Sequence, residues 1–315
     1  MEKRSLGKLG EVSALALGGG GIGQVWGHTT RQEAVATVRE AVDLGITLLD
    51  VAPGYGQGEA EMVIGEAFNG HIPTGVCVST KCGIGNLPAE EILPALRKSL
   101  QESLNRMRLG AVDLFFLHNQ IVRDTEVDKY PGTPITQFRR TVRPAFEELI
   151  KEGSIGAWAI SGIGLPTAII DVINDDPPPA VVQAISNLLD SPGALARFEE
   201  PPRPRDIIGA AWARGIGIMG IRAVQAGALT DAFDRILPDG HPEMIDFAMA
   251  APFRILAKEL GESPAALAHR YALSMRGVST VVLGVKNRAE LRDCVNAEAK
   301  GRLSPDVIER IDASV

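Results

Sequence analysis

Short apolar runs alternate with longer stretches of helical spacing along almost the whole chain. A polar opening at 3–10 reads as a small hairpin, and 12–18 as a first inner strand. Arg31 to Leu44 repeats apolar residues at helical spacing (Ala34, Val38, Ala41, Val42) and stops at Gly45. The run 46–51 is rich in leucine and β-branched residues and breaks at Pro53-Gly54, the pattern of a buried strand ending in a turn. The pairing then recurs. Helices are predicted over 58–68, 88–107, 139–152, 166–174 and 206–214, and strands over 76–80, 112–117, 155–160, 180–185 and 216–221. Helical stretches at 242–260 and 264–275 precede a strand at 279–283 and a helix at 288–297.

Parallel strands need crossovers of this kind. Eight strand–helix units predict an α/β chain folded as one (β/α)8 TIM barrel over 1–315, with an N-terminal hairpin. An open doubly wound sheet is the alternative. The longest irregular pieces, 119–135, 189–205 and 222–241, all follow strands, so they would crowd the C-terminal mouth as binding loops or lids.

Composition narrows the class. The chain has 315 residues and is 45% hydrophobic, enough for a large core, and α/β barrels reach this length as one domain. Its net charge of -7, with no basic run, argues against a nucleic-acid surface. Cys77, Cys82 and Cys294 are scattered, without disulfide or metal spacing, which points to a reduced, cytoplasmic setting and no metal. The polar start Met1 to Leu6 leads into no apolar signal region, and no apolar run approaches the roughly 18 residues of a membrane span.

Glycines 18, 20 and 23 satisfy G-x-G-x-x-G, the dinucleotide fingerprint of a Rossmann fold. That motif opens a helix at once and has an acid about 20 residues on. Here residues 24–28 intervene before a helix capped by Thr29 or Thr30, and Asp50 lies too far away. The glycines are therefore expected to let the backbone pass close to a ligand or neighbour.

The chemistry gathers at strand ends. Asp50 and Tyr55 follow the second strand, Lys81 the third and His118 the fourth. Singly, each has a plain structural reading: a turn-capping aspartate, an edge-covering tyrosine, a solvated lysine, a hydrogen-bonded core histidine. At neighbouring strand ends of one barrel they converge on one cavity. A free phenol is a poor acid at neutral pH, a nearby ammonium favours its phenolate, and a carboxylate fixes that ammonium. A neutral imidazole can orient a substrate oxygen. Such a set donates a proton to a carbonyl oxygen as hydride reaches the carbon, so a nicotinamide cofactor is implied.

With these segments in order, the chain resembles the aldo-keto reductases. Arg4-Ser5-Leu6-Gly7 resembles their opening hairpin, and Asp50-Val51-Ala52-Pro53-Gly54-Tyr55-Gly56 their D-x-A-x-x-Y-G signature. Ser79-Thr80-Lys81 and Asp113 to His118 resemble their lysine and histidine motifs. The resemblance runs nearly end to end. It implies a barrel that binds NAD(P)H and interconverts an aldehyde or ketone with its alcohol. Tyr55 would be the general acid, Lys81 and Asp50 its tuning pair, and His118 the carbonyl-orienting residue. Ser161 and Gln183 match contacts to the nicotinamide carboxamide, although Gly162 stands where the family often has Asn. Ile221 takes the place of a stacking tyrosine, and Arg222 is the candidate for the pyrophosphate, with a solvated charge as the alternative. The segment from Gly284 to Leu291 resembles the family's adenosine-phosphate loop. There Lys286 and Arg288 would bind the extra phosphate of NADP, while Glu290 would favour NAD, and Cys294 stands where adenine often meets Asn. Two cations against one carboxylate tip the expectation to NADP(H).

Trp26 and Tyr130, on loops after the first and fourth strands, are candidates for the pocket of a small carbonyl or alcohol substrate, with loop anchoring the alternative for Trp26, and Trp158 and Trp212 are candidates for packing. Two other functions fit the same barrel. Lys81 could form a Schiff base in a lyase or isomerase, and the chain could be a non-catalytic nucleotide-binding subunit.

Overall fold

A computed structural model describes residues 1–231, 233 and 235–315. The apolar runs form eight parallel strands: β1 (Leu15–Gly18), β2 (Leu48–Asp50), β3 (Cys77–Cys82), β4 (Val112–Leu117), β5 (Ile155–Ser161), β6 (Val181–Ile185), β7 (Gly217–Ile221) and β8 (Thr280–Leu283). They pair in chain order, and β8 pairs back onto β1, so the barrel is closed and has no free edge. The open-sheet alternative and the Rossmann reading are both excluded by this closure.

Helices cross over between strands: α1 (Arg31–Asp43), α2 (Glu59–Phe68), α3 (Ala89–Met107), α4 (Arg143–Lys151), α5 (Pro166–Ile173) and α6 (Pro204–Ala213). Between β7 and β8 lie α7 (Pro242–Met249), α8 (Ala251–Glu259) and α9 (Pro264–Ser274), and after β8 come α10 (Arg288–Ala299) and α11 (Pro305–Asp312). The 242–260 stretch is two helices because Pro252, with no amide to donate, sits in the first turn of α8. The 139–152 stretch is only partly regular: a π-helical turn, Phe138–Val142, precedes α4. The last helix, α11, and a single turn at Gly19–Ile22 add to the predicted elements. No helix among the described residues is long and apolar enough to cross a membrane.

The strands sort their side chains by alternate positions. Outward residues such as Leu49, Val78, Phe115, Trp158, Ile160 and Val182 pack under the helices. Inward residues Ala16, Leu48, Leu114, Phe116, Ala159, Val181 and Met219 fill the barrel, and Leu6 of the hairpin (Lys3–Ser5 with Glu11–Ser13) joins that cluster. Two positions further along these same inward rows stand Asp50 after Leu48, Lys81 after Ser79, His118 after Phe116, Ser161 after Ala159, Gln183 after Val181 and Ile221 after Met219. The candidate site is thus the uppermost inward layer of the barrel, at the C-terminal ends of the strands.

Candidate active site

Asp50 is the centre of the site. It is 2% exposed and takes hydrogen bonds from three sides. Lys81 Nζ donates to Asp50 Oδ1 at 2.8 Å and to the Val51 carbonyl at 2.9 Å. Ser79 Oγ donates to the same Oδ1 at 2.6 Å, and Gln183 Nε2 to Oδ2 at 2.8 Å. A carboxylate this buried costs several kcal/mol unless its lone pairs are met, and here they are. Lys81 is 0% exposed and lies inside β3 rather than beyond it.

Tyr55 sits on the turn after β2, its backbone amide bonded to the Ala52 carbonyl at 3.1 Å. Lys81 Nζ lies 4.9 Å from its ring centroid. The His118 ring meets the Tyr55 ring edge to face, 5.8 Å between centroids at 87°. The glycine run makes room for this arrangement. A Cβ on Gly19 would come within 2.9 Å of the Tyr55 ring, one on Gly56 (φ +65) within 2.3 Å of the Gly23 carbonyl, and one on Gly21 within 1.9 Å of the Val285 carbonyl. The run therefore serves close approach between β1, the Tyr55 turn and the segment after β8. The four catalytic candidates are brought together around one point.

Burial is the largest influence on the Tyr55 phenol and pushes it above its ordinary value; the Lys81 ammonium opposes this without reversing it. The expected net lowering by Lys81 is thus outweighed, and Tyr55 holds its proton at neutral pH. Burial also works against the Lys81 ammonium, but Asp50 and then Tyr55 more than compensate, so Lys81 is held above its usual range and stays charged. Burial and the Lys81 charge bring His118 down to about 4, which leaves its imidazole neutral. The set is a protonated phenol, a fixed ammonium and a neutral imidazole facing one space.

The cofactor candidates divide. Ser161 is 6% exposed, and its Oγ is buried with no hydrogen-bond partner in the protein. A buried hydroxyl left in this state fits a ligand amide. Next to it, a Cβ on Gly162 would come within 2.5 Å of the Gln183 carbonyl, to which the Gly162 amide donates at 2.6 Å. That contact explains glycine here. Gln183 reaches Asp50 rather than standing free. Ile221 is half-buried at the top of β7. Arg222 differs from its expected role: its guanidinium is taken by Gln225 at 2.9 Å and Glu243 at 2.8 Å, and only 9% of the side chain is exposed. A pyrophosphate would have to displace Glu243 to reach it.

Beyond β8, Gly284 is exposed. Glu290 accepts from the Lys286 amide at 2.9 Å, and its other oxygen lies 3.1 Å from Lys286 Nζ. Arg288 pairs with Glu33, a residue of α1 that the sequence reading did not single out. Cys294 is buried, its Sγ 3.8 Å from His269 Nε2.

Of the two pocket candidates, Trp26 is half-buried, and its ring lies against Gly20 and Gly284, joining the ends of β1 and β8. Tyr130 does not reach out into the mouth. It is 8% exposed, its ring packs edge-on to Phe198 at 4.8 Å and its hydroxyl accepts from the Glu199 amide at 3.1 Å. It ties two of the long loops together. Trp158 is core, as expected. Trp212 is 51% exposed with the Arg276 guanidinium 4.2 Å from its ring centroid, so it packs against a cation at the surface. Among the described residues no group of three or more His, Cys, Asp or Glu is placed to hold a metal ion.

Comparison with known proteins bears on the fold and the family. The chain is 28% identical over 304 residues to L-galactose dehydrogenase of Arabidopsis thaliana, covering 94% of this chain and 88% of that protein. It superposes on a glycerol dehydrogenase from Gluconobacter oxydans with a TM-score of 0.74 at 23% identity, over 99% of this chain and 94% of the other. It also superposes on an aldo/keto reductase from Klebsiella pneumoniae, solved in complex with NADP and acetate, with a TM-score of 0.71 at 22% identity, over 99% and 94% of the two chains. At these identities the two structures speak for the fold. The family model for aldo/keto reductases matches residues 14–315, and the chain belongs to the aldo/keto reductase family.

Proposed function

We propose that this protein is an oxidoreductase that interconverts a small aldehyde or ketone and its alcohol with a nicotinamide dinucleotide. The observation that carries this reading is the Asp50–Lys81–Tyr55–His118 cluster, with its buried ion pair beneath a protonated phenol. Nicotinamide fits the residues above it: the partnerless Ser161 Oγ suits its carboxamide, and the apolar Ile221 suits one face of its ring. When bound, it would supply or accept the hydride.

The residues of the chain handle the proton. His118, neutral and close to Tyr55, orients the substrate oxygen by a hydrogen bond. Tyr55 Oη holds the proton which that oxygen takes up, and burial keeps it there until a stronger base forms. Lys81 then stabilises the phenolate, and Asp50 keeps Lys81 in position. In the alcohol-to-carbonyl direction the same groups run in reverse.

A Schiff-base role for Lys81 is disfavoured. Its amine is fully buried, charged and bonded to both Asp50 and the Val51 carbonyl, whereas a nucleophilic lysine must be neutral and reachable.

Turnover with NADH and NADPH over a panel of small carbonyl compounds, sugars and polyols tests the proposal. L-galactose and glycerol are the first candidates, because relatives carry those names. Turnover of at least one compound, without borohydride-trapped adduct on Lys81, is expected. Nucleotide binding with no turnover across the panel would favour a non-catalytic subunit.

A further inference from the structure

The loop expected to receive the adenosine end carries its own counter-charges. Asn287 caps α10, its Oδ1 accepting from the Glu290 amide at 3.0 Å. The Lys286 amide and ammonium are both engaged by Glu290. Arg288 is engaged more completely by Glu33. Its backbone amide and its Nε donate to Glu33 Oε1 at 3.0 and 3.1 Å, and its Nη2 to Oε2 at 3.0 Å. An amide in the first turn of a helix together with the Nε–Nη2 edge of a guanidinium is the donor set an anion would use there. A carboxylate of the chain itself already sits in that place. Glu33 is in the first turn of α1, where Thr30 Oγ1 accepts from its amide at 3.2 Å. Hydrogen bonds from Arg288, side chain first, hold its carboxyl below the usual range, so it is charged at neutral pH.

The charges of Lys286, Arg288, Glu33 and Glu290 cancel. A ribose phosphate dianion arriving here would have to separate two ion pairs and would then face two carboxylates at close range. A ribose with free hydroxyls meets acceptors instead, which is how an acidic side chain selects NAD over NADP in other dinucleotide sites.

We infer that Glu33, with Glu290, makes the adenosine end of the site select an unphosphorylated ribose, so that the protein prefers NAD(H) to NADP(H). This deepens the proposed function and rests on it. It also reverses the balance read from the sequence, where Lys286 and Arg288 stood against Glu290 alone.

Glu33→Gln keeps the shape and removes the charge. Glu40→Gln is the control, because Glu40 makes a second α1–α10 ion pair with Arg292, at 2.9 Å, one turn further along α10 and two along α1. Both variants and the parent are titrated with NADH and NADPH at low salt, following tryptophan fluorescence. The parent should bind NADH at least ~10-fold more tightly than NADPH. Glu33→Gln should shift that ratio at least ~10-fold toward NADPH, and Glu40→Gln should leave it within ~2-fold. A parent that prefers NADPH overturns the inference. So does a Glu33→Gln ratio that moves no more than that of Glu40→Gln, since the pair would then only join two helices. Folded parent protein that binds neither nucleotide would overturn the underlying reading, and the inference with it.

Discussion

Gln183 and Asp50 meet across the barrel. Gln183 is on β6 and Asp50 on β2, four strands apart in either direction around the closed sheet, yet Nε2 lies 2.8 Å from Oδ2. Lys81 and Ser79, on adjacent β3, hold the other oxygen. The carboxylate that fixes the Lys81 ammonium is therefore gripped from opposite walls, and the barrel's closure is coupled directly to the position of Lys81.

Removing the far grip should be costly. Gln183→Leu takes away a hydrogen bond to a buried charge and is expected to lower stability by about 1.5–3 kcal/mol. Gln183→Glu should lower it further, because a second carboxylate would face Asp50. Chemical denaturation of both variants measures this. Unchanged midpoints would show that the bond contributes nothing to holding Asp50.

The ion pair itself should be strongly non-additive. Lys81→Met leaves Asp50 charged and buried without its main partner, an expected loss of about 3–5 kcal/mol. Adding Asp50→Asn removes the stranded charge, and the double variant should regain much of that stability while remaining inactive. If the two losses simply add, the pair is not coupled as described.

His118 gives a signed pH dependence. Its imidazole falls from 6.5 to about 4 on folding, so as pH drops the unfolded chain takes up this proton first. The native state then loses up to about 3 kcal/mol between pH 6.5 and 4 on account of this one group. His118→Gln should lack that component, so the parent-minus-variant stability should shrink over this window and stay flat from pH 7 to 8. A difference independent of pH would mean that folding does not shift the His118 imidazole from its ordinary value.

Much of this was readable from periodicity. Asp50 and His118 lie in register with the inward core residues Leu48 and Phe116, and Lys81 with the inward Ser79, so alternation aimed these three at one space, while Tyr55 reaches it from the turn after β2. What pattern could not supply was the pairing of charges distant along the chain. Arg222 reads as a free cation after β7 until Glu243, 21 residues later, closes on it. Glu33 reads as a first-turn acid of α1, and nothing local signals Arg288, 255 residues away. Tyr130 likewise follows a strand as a pocket residue would, but its partners Phe198 and Glu199 come from a loop two crossovers on. The glycine run is the opposite case. Its spacing matches a dinucleotide fingerprint, but the missing helix start and acid already pointed to close approach, and the contacts to Tyr55, Trp26 and Val285 are of that kind.

The central claim is that Tyr55 Oη carries the proton. Tyr55→Phe removes that oxygen and leaves the ring between Lys81 and His118. Single-turnover kinetics on a substrate found in the panel, with the nucleotide affinity of the same preparation measured alongside, test it most directly. The hydride step should slow by ~100-fold or more, with nucleotide affinity within ~2-fold of the parent. A hydride step that keeps its parental rate would take the proton away from Tyr55 and assign it to another group.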